Sequence, residues 1–99
     1  MILNVNSASV GASAATETAI TAEMAAGIAA ASAALVSAMP MGVDGDSLQF
    51  AAALNAAGAT YIGCAGEHLA NRGMFAGAQD LAAATYTVTD VIHKTALAL

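Results

Sequence analysis

No tryptophan occurs in this sequence, and its aromatic complement is two Phe and two Tyr among 99 residues. A chain of that length fits one domain, and folding alone it would need an interior of large side chains. Alanine fills the place of those side chains, with 29 residues. The high apolar fraction therefore overstates the available burial, since each Ala contributes little beyond a methyl group at about 25 cal/mol per Å². Cys64 is the single cysteine, which excludes an intrachain disulfide and a four-Cys metal site. Arg72 and Lys94 are the only basic residues, against a net charge of −5. Phosphate neutralisation needs clustered cations, so no nucleic-acid partner is expected. The opening "MILNVNSASVGAS" lacks a cationic start followed by a compact apolar segment, so export by way of a signal peptide is not predicted. A small chain with a poorly filled interior and no covalent staple is expected to rely on a partner.

The single Pro lies in "MPMGVDGDS" (39–47), together with two Gly and two Asp, a composition that marks a turn. Asp46 followed by Gln49 has the spacing of a capping box and predicts a helix opening at Ser47. Before the turn, Ile20, Met24 and Ile28 recur every four residues, with Leu35 one heptad on, the period of a helix face. Asn6, Ser7 and Ser9 are candidate caps ahead of them. After the turn, Phe50, Leu54 and Tyr61 continue at four and seven, followed less regularly by Leu69, Met74, Phe75 and Leu81. These patterns predict an all-α fold. A helix over about 7–39, a turn at 40–46 and a helix over about 47–85 form an antiparallel two-helix hairpin, with a short tail over 93–99. Two helices cannot cover both of their own faces, so the hairpin is expected to complete a helical bundle with a partner protein.

Five glycines, Gly58, Gly63, Gly66, Gly73 and Gly77, fall within the predicted second helix. Each costs about 1 kcal/mol relative to Ala in a helix interior, and close backbone approach is the usual reason to accept that loss. Gly66 and Gly73 are accordingly interface candidates, with Ile20, Met24, Ile28, Leu35, Leu54, Tyr61, Leu69 and Phe75. Residues 24–43 and 48–66 carry no charge and are each about long enough to span a bilayer. Alanine is a poor membrane residue, however. Pro40 interrupts the first stretch, Gln49 and Asn55 lie in the second, and no Lys or Arg flanks either to set an orientation. A stable membrane insertion is not expected. Cys64 and His68, four apart beside Glu67, could form a nucleophilic pair or half a metal site. Two ligands are too few for a metal, and a small thiol beside a polar-face histidine is the simpler assignment. No catalytic set, cofactor site or metal site is predicted, so the chain is read as a non-enzyme.

Near the end of the chain stands Thr85-Tyr86-Thr87-Val88-Thr89-Asp90. On a helix, Tyr86 and Asp90 are i and i+4 and share a face. A Tyr-x-x-x-Asp after a helical hairpin of about 100 residues resembles the export signal of type VII secretion substrates. The whole of 1 to about 92 resembles a mycobacterial PE-family domain, the partner of PPE proteins. The matching features are the "MILNV" start, the Ala-rich first helix, the turn "PMGVDGDSLQF" and the closing Tyr86 to Asp90. "PMGVDGDS" and "HLANRGMFAG" resemble the PE subgroup encoded beside type VII secretion machinery. The Pro-Glu pair that names the family, expected near Ser7-Ala8, is absent.

That resemblance implies a 1:1 heterodimer with a PPE-like protein, folded in the cytoplasm and then secreted or held at the cell surface. It implies a secretion signal at Tyr86 and Asp90, read by the type VII machinery, with a cytosolic chaperone acting through the PPE partner. Having no Trp, this chain supplies only the tail half of the recognition pattern; the Trp-x-Gly half is expected from the partner. The β-branched residues around Tyr86 then predict a weakly helical end, released for inspection. The alternatives are a CFP-10-like secreted hairpin, a membrane-active helical hairpin and, more remotely, a thiol or metal enzyme.

Overall fold

The computed structural model describes residues 4–98 of the chain. It contains two α-helices, α1 (Ser7–Leu35) and α2 (Gly45–Leu97), and no strand among the described residues. Asn6 caps α1. Its side-chain oxygen accepts the Ser9 N–H at 3.1 Å, and its carbonyl accepts the first helical bond from Val10 at 3.1 Å. Asp44, and not Asp46, opens α2: one carboxylate oxygen accepts the Ser47 hydroxyl at 3.1 Å, and the Asp44 carbonyl accepts the Leu48 N–H at 3.2 Å. The helix consequently begins at Gly45, two residues before the sequence-based expectation.

Both C-terminal limits also differ from expectation. α1 ends at Leu35 instead of near 39. Beyond it, Asn55 grips the backbone of Ala38 with both ends of its amide. The Asn55 oxygen accepts the Ala38 N–H at 2.7 Å, and its NH₂ donates to the Ala38 carbonyl at 3.2 Å. Backbone groups satisfied in this way are lost to a continuing helix. α2 runs a dozen residues past the expected 85, to Leu97. The helix continues through the β-branched stretch, where Thr85 and Thr87 donate their hydroxyls to the carbonyls of Leu81 and Ala83, at 2.8 and 2.9 Å. Thr in a helix commonly makes this local bond. The expected weakly helical end is therefore an unbroken helix.

The chain divides into two compact units, each built from parts of both helices. In the unit spanning Ala22–Ala70, α1 contributes half-buried Met24, Ile28, Ser32 and Leu35. α2 contributes Ala51, Asn55, Gly58, Ile62, Ala65 and Leu69. The α2 positions alternate by four and three, the 3.5-residue period of knobs-into-holes packing. Contact is closest at Gly58, where an added Cβ would overlap the Leu35 carbonyl oxygen and lie 2.7 Å from its carbon.

The other unit joins the stretch up to Thr21 with that from Asn71 onward. Here the pairing is antiparallel. Gly11 faces Ala83, the Gln79 amide donates to the Ser13 hydroxyl at 3.1 Å, and Arg72 bonds and ion-pairs with Glu17. Across the described residues, the buried apolar side chains are Ala14, Ala51, Ala76 and Ala83. No large side chain is fully buried among them. At about 0.8 kcal/mol per buried methylene-sized group, such an interior stabilises only weakly.

Candidate recognition segment and exposed surfaces

In the unit containing the chain's end, Ala83 is the last buried residue of α2, and residues 84–98 are exposed. Tyr86 and Asp90 lie in this stretch, one turn apart on the continuous helix. Their positions extend the alternating spacing of half-buried and buried Arg72, Ala76, Gln79 and Ala83 by three and then four residues. The phenol and carboxylate thus continue the line along which α2 packs on α1, past the point where that packing stops. Tyr86 is 42% exposed. Val88, Val91, Ile92 and Leu97 are exposed around the same helical end.

The ten expected interface residues fall into two groups. Met24, Ile28, Leu35 and Leu69 are half-buried within the unit spanning Ala22–Ala70. In that same unit Leu54 and Tyr61 are exposed, while Ile20 and Phe75 are exposed in the other. Gly66 and Gly73 are also exposed, and a Cβ added at either would meet nothing within 4 Å. Within the chain, close backbone approach belongs to Gly58 alone of the five glycines. Gly73 and Gly77 line a shallow groove of about 490 Å³ with Gly11, Ala14, Thr18 and Asp80. Its walls carry small side chains from both helices.

Cys64 is exposed on α2, as is His68 one turn later. No group of three or more His, Cys, Asp or Glu side chains suited to a metal ion occurs among the described residues. α1 is long and apolar enough to cross a membrane by length and composition. It includes only the first part of the uncharged 24–43 stretch, because the helix ends at Leu35.

Three structural contributions escaped the sequence-based reading. Asn55 stood out as a polar residue in an uncharged stretch, and that isolation was the available sign of its clamp on Ala38. Arg72 is one of two cations in the chain, and nothing in the sequence singled out Glu17 as its partner. The Ser13–Gln79 bond joins residues 66 positions apart and left no local signal. Comparisons with family models, with curated proteins and with solved structures found no match to this chain.

Proposed function

We propose that this chain is a non-enzymatic type VII secretion substrate of PE-like character, which pairs 1:1 with a PPE-like protein and carries its export signal at Tyr86 and Asp90. The observation that carries this reading is the end of α2, where a phenol and a carboxylate one turn apart continue the packing line beyond its last buried residue. A machine reading that pair would meet it one turn apart on a helix. The need for a partner is supported by the alanine interior and by the surface. Ile20, Leu54, Tyr61 and Phe75 are exposed apolar residues available to an interface with that partner.

The test separates export from assembly. Tyr86→Ala and Asp90→Ala are each expected to abolish export from a host with a type VII system while the 1:1 complex still assembles in the cytosol. Moving the acid by one position, Thr89→Asp with Asp90→Thr, keeps composition and charge but turns the carboxylate about 100° around the helix. That variant is expected to fail as well. Its normal export at matched protein levels would overturn the signal assignment.

A second reading, a membrane-active hairpin, is supported by the length and composition of α1. It requires the chain to float with liposomes, and its absence from the floated fraction would dismiss it.

A further inference from the structure

Turns between helices are ordinarily polar, because nothing covers them and their backbone groups need water. The turn between α1 and α2 departs from this pattern. Met39 is 82% exposed, Met41 97% and Val43 fully exposed. Exposed apolar side chains grouped in so short a stretch mark a contact surface more often than scattered single ones do. Turn formation accounts for Pro40, Gly42 and Asp44 but requires none of these three apolar residues.

The stretch is also anchored at both ends. On one side the Asn55 amide holds Ala38 through two hydrogen bonds. On the other, Asp44 is held at the start of α2 by the Ser47 hydroxyl. Gly42 packs near the same two side chains, since a Cβ there would lie 3.3 Å from both Asp44 Oδ1 and Ser47 Oγ. A loop fixed in this way presents its side chains without a large ordering cost on binding. Methionine adds an unbranched, polarisable chain that adapts to an irregular pocket.

We propose that Met39, Met41 and Val43 form a docking knob that inserts into an apolar pocket of a partner protein, with Lys or Arg on the pocket's rim. Charge selects this occupant. Asp44 and Asp46 border the knob, and no Lys or Arg occurs between residues 1 and 71. Two carboxylates without a cation repel an anionic lipid surface and complement a basic rim. This proposal is independent of the export reading, because it concerns neither Tyr86 nor Asp90.

The experiment places a photo-crosslinking amino acid at position 41 of the full chain in its native host, with position 30 on α1 as control. A discrete adduct specific to position 41 is expected, and mass spectrometry names the protein in it. That protein is then purified and titrated with the chain. Met39→Ser with Met41→Ser is expected to weaken binding at least tenfold, and Asp46→Lys several-fold, with helical circular dichroism unchanged. Asp46 is chosen because Asp44 caps the helix. Export and heterodimer assembly are followed in parallel, so failure of the knob leaves the Tyr86–Asp90 test untouched. Equal adducts at both positions, or purified binding indifferent to the double substitution, would overturn the proposal. Binding to phosphatidylcholine vesicles that the double substitution abolishes would overturn it too, by assigning the knob to lipid.

Discussion

The carbonyl group of Leu35, at the last turn of α1, rests against the bare Cα of Gly58 on α2. A Cβ at that position would overlap the oxygen and stand 2.7 Å from the carbonyl carbon. The neighbour is backbone and cannot swing aside as a flexible side chain would. Gly58→Ala is therefore expected to destabilise the chain by about 1–3 kcal/mol, despite the better helix propensity of alanine. Thermal or urea melting in the assembled complex checks this. An unchanged midpoint would mean that the helices do not meet so closely there.

Four further glycines within α2 predict the reverse. Gly63, Gly66, Gly73 and Gly77 have open space where a Cβ would stand. Alanine at each is expected to leave the isolated chain as stable, or more stable by up to about 1 kcal/mol. Leucine is a different probe, because it extends into the space a partner would occupy. Gly66→Leu and Gly73→Leu are expected to lower partner affinity roughly five- to 150-fold, and Ala98→Leu to leave it unchanged. Equal affinities for all three would remove these glycines from the interface.

Asn55→Ala removes two hydrogen bonds to the backbone of Ala38. The lost bonds and the half-buried groups left unpaired are expected to cost about 1–3 kcal/mol. Asn55→Asp keeps the acceptor for the Ala38 N–H but loses the donor to its carbonyl, and should fall between wild type and Asn55→Ala. Amide exchange at Ala38 reports the clamp directly: it should accelerate in both variants, more so in the alanine one.

Arg72 and Glu17 are about one-quarter exposed, so their ion pair is screened by water and contributes modestly. A double-mutant cycle with Arg72→Met and Glu17→Gln is expected to give a coupling below about 1 kcal/mol that shrinks as salt rises. A coupling of several kcal/mol, insensitive to salt, would show that the pair is shielded from solvent.

Beyond Ala83 the helix has no buried side chain to hold it. Ending the chain after Val88 is therefore expected to change the melting midpoint little while abolishing export, since Asp90 is lost. Amides from about residue 84 onward should exchange faster than those of the covered turns. A large drop in stability on this truncation would show that the end of α2 belongs to the packed structure.

The two-helix architecture was legible because the turn chemistry of 39–47 is concentrated and the flanking stretches lack breakers other than glycine. The faces were much harder to read. Where alanine occurs on every side of a helix, apolar periodicity loses its contrast. Met24, Ile28 and Leu35 could be followed as a line, but their partners Ala51, Gly58 and Ala65 are indistinguishable in sequence from the alanines and glycines around them. Ile20, expected on the same line, is 38% exposed, and Thr21 occupies the half-buried place beside it. Tyr86 and Asp90 were visible as a spacing. That they extend a packing line became visible only when the register of Arg72, Ala76, Gln79 and Ala83 was known.

An interior of methyl groups also has a thermal consequence. The heat capacity of unfolding arises chiefly from hydrating apolar surface that the native state had hidden. This chain hides little of it, so its heat-capacity increment should fall below the ordinary value of about 12–15 cal/mol/K per residue. Its free-energy curve would then be shallow, with a broad melt and a cold-denaturation limit far below freezing. A complex that covers the exposed apolar residues would acquire the steeper curvature that the chain alone lacks.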